Sequence, residues 1–166
     1  MLDIITLGDE FLREKTERIT SFGLEIPVLA DAMIEAMRGE RGLGLAGPQV
    51  GVLKRIFVME LPEEGVPRVF INPEIIETSQ ELSSYEEGCL SIPGMYCDVI
   101  RPALVTVQAQ DVKGKPFTIK ADGMLARVIQ HENDHLHGVL FIDRIEEDPR
   151  ERILKAYKKR EKRNKS

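Results

Sequence analysis

The chain has 166 residues, 42% hydrophobic and 31% charged, a balance that fits one domain with its own core and excludes collagen-like, repetitive and disordered classes. No apolar run approaches the roughly 20 residues that cross a bilayer. The net charge is −5, unevenly spread: Arg150 to Ser166 carry nine basic against two acidic side chains, a net +7, which leaves −12 on the first 149 residues.

An acidic body with a basic end points to an anionic partner for that end. The opening MLDIITLGDE has no basic n-region, a short apolar stretch and an acid at position 3, so no secretory or transit segment is expected. Cys89 and Cys97 are too few for a disulfide framework, and the expectation is a reduced, cytoplasmic protein with free thiols.

Taken in chain order, the first predicted helix runs from Glu25 to Arg38. Pro27 suits its first turn, Ile26, Leu29, Ala30, Met33, Ile34 and Met37 share one face, and Gly39 can end it. Gly42 to Gly51 reads as a loop, because its glycines and Pro48 disfavour a helix or a central strand. Strands are predicted over Arg55–Leu61, Arg68–Ile71 and Ala103–Gln110. Val112 to Lys115 turns into Pro116–Lys120 to make a hairpin. A second helix starts near Asp122 as N-cap, with Met124, Leu125, Val128, Ile129 and Leu136 apolar and Gly138 closing it. The last helix begins at Asp148-Pro149 and has few apolar residues, Ile153, Leu154 and Tyr157, so its charged end should project into solvent.

His131-Glu132-Asn133-Asp134-His135 is an H-E-x-x-H segment inside the second predicted helix. A spacing of four puts both imidazoles on one face, one turn apart, where they can grip one metal ion. Glu132 sits beside them as acid and base without being a ligand. A catalytic site of this kind usually has a third protein ligand. The metzincin extension H-E-x-x-H-x-x-G-x-x-H fails here because Phe141 stands at the third histidine. A zinc endopeptidase of another kind would need a glutamate from Glu146, Glu147 or Glu151. The remaining strong ligand is the thiolate of Cys89 in Glu87-Gly88-Cys89-Leu90-Ser91, although a cysteine taken alone is more often a small buried hydrophobe, which is the reading given to Cys97. His137 reads as a surface residue or a cation at the helix C-terminus.

Three ordered segments carry a family resemblance: G-x-G-x-A-x-x-Q at Gly42 to Gln49, E-G-C-L-S at Glu87 to Ser91, and H-E-x-x-H at His131 to His135. With Leu7-Gly8-Asp9, Leu12-Arg13 and the run Asp122 to Arg127, they make the chain resemble peptide deformylase over most of its length. Gly47 departs from the family, which usually has alanine there; the expectation is a slightly freer loop.

The resemblance implies hydrolytic removal of the N-formyl group from the initiator methionine of new polypeptides, releasing formate. Cys89, His131 and His135 would hold one divalent ion, iron(II) by family habit, with nickel, cobalt or zinc as substitutes. Glu132 would move the proton, and the Gln49 amide and the Leu90 N–H would donate to the oxyanion. Leu43, Gly44, Tyr85, Glu87, Gly88, Met124 and Val128 would contact substrate, with Glu87 braced by Arg101. The basic last helix would approach the RNA-coated ribosome; neither a membrane nor a specific nucleic-acid sequence is an expected partner. The fold implied is α+β: short, mostly antiparallel strands around a central metal-binding helix, with a C-terminal helix. Residues 1–148 would form the catalytic unit and 149–166 a basic helical extension of the same domain.

Overall fold

The computed structural model describes residues 2–165. Helix α1 spans Glu25–Gly39 and offers Ile26, Met33, Ile34 and Met37 from one side. Its N-cap, Leu24, makes no side-chain cap. A cap is worth about 1 kcal/mol, whereas each large buried side chain contributes about 1.5–3 kcal/mol, so packing rather than capping holds this helix.

Five strands form one antiparallel sheet: β1 (Gly44–Ala46), β2 (Ile56–Met59), β3 (Arg68–Thr78), β6 (Val105–Gln110) and β7 (Pro116–Ala121), in spatial order β1-β2-β3-β6-β7. The intervening β4 (Leu82–Cys89) and β5 (Ile92–Pro102) pair only with each other. Helix α2 spans Gly123–His135 and α3 spans Glu147–Lys165. Alternation along β2 explains the layering. Ile56 and Val58 join the α1 side, with Leu45 and Ile71. Phe57 and Met59 join the α2 side, with Phe70, Val107, Ala126 and Ile129. A third cluster joins the β4–β5 hairpin to α3 through Ile92, Val99, Phe141, Ile142, Ile153 and Tyr157. The α+β architecture with α2 at its centre is the expected one.

Several local expectations need correction. Gly44–Ala46 is a strand rather than loop, because it lies at the sheet edge and pairs with Phe57–Met59, and Gly47–Val50 is a 3₁₀ turn. Gly47 is not loosely held: a Cβ there would lie 2.6 Å from Val52 O and 2.9 Å from Lys54 O. Strand β3 continues beyond Ile71 through Asn72-Pro73, which reads as a breaker. The ladder shifts register there, with Asn72 at φ +51°. Proline survives at such a bulge because the ladder needs no N–H from it. The Asn72 side chain repairs the gap by accepting from Ile19 N at 2.8 Å and donating to Ile19 O and Gln110 Oε1.

The hairpin β4–β5 was not expected, since Ser83, Ser84, Glu86 and Gly88 break any apolar alternation. Asp122 is the α2 N-cap, but its side chain accepts no bond. Helix α3 starts one residue before Asp148, keeping Pro149 in the first turn. Among the described residues no helix is long and apolar enough to cross a membrane.

Candidate active site

Helix α2 lies between the sheet and the β4–β5 hairpin, so its polar side chains meet the hairpin rather than solvent. Hydrophobic anchoring on the sheet side, with Ala126, Ile129 and Leu136 among the buried residues, orients this face. His131 and His135 are buried on it, and β4 ends at Cys89 directly opposite. Cys89 Sγ is 3.4 Å from His135 Nε2. One donor atom from each of Cys89, His131 and His135 lies within 4.8 Å of the other two. No other group of three possible metal donors occurs among the described residues.

Glu87, two residues before Cys89 on β4, orients the first imidazole. His131 Nδ1 donates to Glu87 Oε1 at 2.8 Å, which leaves Nε2 as the lone-pair atom. The same carboxylate accepts Arg101 Nε at 2.6 Å, Arg101 Nη2 at 2.9 Å and Arg127 Nη1 at 2.8 Å. Burial alone would raise its pKa, but the bonds from His131 and Arg101 and the arginine charge outweigh burial and hold Glu87 well below the usual carboxylate range. It is therefore a permanent anion whose oxygens are fully engaged.

Electrostatics around the donors fit a bound cation. Burial opposes charge on His131, yet its bonds to Cys89 and Glu87 and the nearby charge of Glu132 raise its pKa, so the cluster favours positive charge at this point. His135 is pushed well below the ordinary imidazole value, first by burial and then by His131, Arg101 and Arg13, and is a neutral donor. A thiolate with two imidazoles is a donor set that suits iron, nickel, cobalt or zinc.

Glu132 is 4% exposed and its Oε1 has no hydrogen-bond partner. Burial pushes its pKa up to about 7, the range of an effective acid–base group. Gly44 makes room for it: a Cβ at that position would sit 2.5 Å from Glu132 Oε2. Gln49 arrives from the 3₁₀ turn after β1. Its Oε1 accepts from Ala46 N at 2.9 Å, which fixes the amide so that Nε2 donates to Ser91 Oγ at 3.0 Å and faces Cys89 Sγ at 3.5 Å.

These groups floor a cavity of about 600 Å³. Leu43, Gly44, Tyr85, Glu87, Gly88, Met124 and Val128 all lie on its wall, as do Gln49, Cys89, Leu90, His131 and Glu132. Tyr85 is half exposed and sits at the rim, whereas Val128 is buried. Gly42 admits the Leu90 side chain, whose Cδ1 would be 2.6 Å from a Cβ there. Cys97 is a free thiol packed against the hairpin cluster.

A sequence model of the family "Polypeptide deformylase" matches residues 1–151. The chain belongs to the polypeptide deformylase family. The peptide deformylase of Picosynechococcus sp. is 51% identical over 150 residues, covering 89% of this chain and 80% of that one. That of Borreliella burgdorferi is 49% identical over 156 residues, covering 94% of each. The crystal structure of the Ehrlichia chaffeensis peptide deformylase superposes with a TM-score of 0.94 at 39% identity, over 100% of this chain and 99% of that one. The deformylase motifs of the sequence are thus the segments that meet at this cavity. Sequence reasoning missed Arg127 and Ser91, which touch Glu87 and Gln49. A buried acid such as Glu87 signals that cations must surround it, but not which ones.

Proposed function

We propose that Cys89, His131 and His135 hold one divalent metal ion, iron(II) by family resemblance, and that Glu132 moves the proton as the N-formyl group is hydrolysed from formyl-methionine at the start of new polypeptides, releasing formate. Deformylation is the reaction of the family. The observation that carries the residue assignment is the convergence of three donor atoms within 4.8 Å beside a buried, unpartnered carboxylate. When bound, the metal acts as a Lewis acid and brings the pKa of a water near neutrality.

Glu132 accepts a proton as the formyl carbon is attacked and returns it to the departing amine, which would otherwise be a poor leaving group. The Gln49 amide, fixed by its bond to Ala46, and the backbone N–H of Leu90 donate to the oxygen that becomes an anion. Donors of this kind are worth about 3–4 kcal/mol each. Leu43, Met124 and Val128 supply an apolar wall for the flexible methionine side chain, with Tyr85 at its edge and Gly88 leaving space beside it. Gly44 lets the peptide backbone approach the edge of β1. Residues 1–148 form the catalytic unit, and the basic α3 extension holds the enzyme near ribosomal RNA.

Formate release from a formyl-Met peptide by anaerobically prepared protein, with metal analysis, tests the reading. Turnover that follows the metal content is expected, and metal-loaded protein without turnover would sink it.

A further inference from the structure

The reaction assigns no task to Asp134, the acid between Glu132 and His135 on α2. It is buried, yet it does not line the cavity. Its Oδ2 accepts Arg101 Nη1 at 2.9 Å, and Arg144 closes on its other side, Nη2 to Oδ1 at 2.9 Å and Nε to Oδ2 at 3.1 Å. Arg101 turns its Nε and Nη2 to Glu87, and Glu87 accepts from His131. The four side chains His131, Glu87, Arg101 and Asp134 therefore form a ring that leaves α2, crosses β4 and β5, and returns to α2 three residues further on. Cys89 lies two residues from Glu87 on β4, so the ring ties the strand of the thiol to the helix of both imidazoles.

We propose that Asp134 and Arg144 are positioning residues for the metal site, setting the separation of Cys89 from His131 and His135 through Arg101 and Glu87. The inference rests on the assignment of those three residues as ligands. Arg101 is buried and divides its donors between two carboxylates. Without Asp134, Nη1 loses its partner in a dry site, and the guanidinium is free to turn its Nη1–Nη2 edge to Glu87. That turn shifts the acceptor of His131. Asp134 in turn is a buried carboxylate, and one shared arginine on Oδ2 leaves Oδ1 without a partner. Arg144 supplies it bidentately, which lysine cannot do. Arg144 has a side chain 49% exposed, so the support for a buried ligand ends at the protein surface.

The test uses the full chain loaded with cobalt(II), comparing wild type with Asp134→Asn, Arg144→Met and the double variant. Cobalt affinity is measured by chelator competition, the thiolate-to-metal and ligand-field absorption bands are recorded, and KM and kcat are determined separately. Removal of an outer partner of a metal ligand typically weakens binding 10–100-fold. The expectation is an affinity loss of about tenfold for Asp134→Asn, shifted bands, lower kcat and unchanged KM. Arg144→Met changes the same quantities in the same direction by less, and adds nothing on top of Asp134→Asn because it acts through that residue.

Folded variants with wild-type cobalt affinity and unshifted bands overturn the proposal, whatever happens to their Tm. Arg144→Met, at a half-exposed site, decides the matter alone if Asp134→Asn does not fold. A wild-type chain without thiolate-to-cobalt absorption sinks the ligand assignment itself, and this inference with it.

Discussion

Gly44 and Glu132 are in contact across the β1–α2 boundary: a Cβ on Gly44 would lie 2.5 Å from Glu132 Oε2 and 2.8 Å from its Cδ. The carboxyl occupies the volume that any other residue at 44 would fill. Gly44→Ala should therefore displace Glu132, the proposed base, while leaving Cys89, His131 and His135 in place. General acid–base groups contribute about 10²–10⁴-fold to rate, and kcat should fall within that range with metal content unchanged. Metal analysis beside steady-state kinetics checks it; near wild-type kcat would show that Glu132 does not need this position.

Burial pushes Glu132 up to about 7, and two consequences have definite signs. As the proposed base it must be ionised, so kcat/KM should fall as the pH drops, and a bound cation moves that limb to lower pH by favouring the carboxylate. Glu132→Gln should remove the limb and reduce kcat by about 10²–10⁴ with metal retained. In metal-free protein the folded pKa lies above the unfolded value. Native protein then binds more protons between them, and stability is lost as the pH rises from about 4.5 to about 7. Glu132→Gln should flatten that part of the Tm–pH curve.

Asp143 titrates in the opposite sense. Burial would raise its pKa, but the Arg13 side chain, the Leu140 N–H and the nearby Arg150 hold it below the ordinary aspartate value. Its contribution to stability is fully present above about pH 4 and is lost as the pH falls through the lowered folded pKa. Asp143→Asn should lower Tm at pH 7 and leave it closer to wild type at pH 2.5, as thermal melts at the two pH values will show. An equal loss at both would mean that the carboxylate charge is irrelevant.

Gly47 is buried under two backbone carbonyls, Val52 O at 2.6 Å and Lys54 O at 2.9 Å from a Cβ built there. Carbonyls of the main chain yield less readily than side-chain tips, and Val52 N also binds Gly47 O at 3.0 Å to close the turn. Gly47→Ala should thus destabilise this chain by about 1–3 kcal/mol, the cost of overpacking a filled site. Denaturant unfolding measures it. A neutral or stabilising change would mean that the 52–54 segment moves aside at little cost.

Local signals made much of the architecture legible. Helix α1 follows its apolar face, and the β6–β7 hairpin follows Asp111, whose side chain accepts from Lys113 N and Lys115 N, and Gly114 at φ +86°. The H-E-x-x-H spacing placed two donors on one helix turn because helical period alone decides that. What stayed hidden depends on partners distant in sequence. Arg101 and Asp134 are 33 residues apart, and Arg127 and Glu87 40 apart, whereas the Glu87–Arg101 pair, 14 apart, is expected from the family resemblance alone and does form. No local pattern pairs them. The β4–β5 hairpin was hidden for a related reason: one of its faces meets polar groups of α2, so it lacks the apolar alternation that marks a strand.

The basic end of α3 is tied to the body by Ile153 and Tyr157, both buried in the hairpin cluster. Deleting the whole of 150–166 would strip that packing as well as the charge, and weaker ribosome binding would then say nothing about electrostatics. Ending the chain after Tyr157 keeps both side chains and removes Lys158, Lys159, Arg160, Lys162, Arg163 and Lys165 with only Glu161 among the acids. If α3 reaches ribosomal RNA through these charges, the truncated protein should bind ribosomes more weakly at low salt. The dependence of log K on log salt should also become shallower, since fewer counterions are released. Turnover of a short formyl-Met peptide should stay close to wild type, because none of the removed residues lines the main cavity. Salt slopes measured by ribosome co-sedimentation decide it, and identical slopes for the two proteins would assign the ribosome contact, if one forms, to another surface.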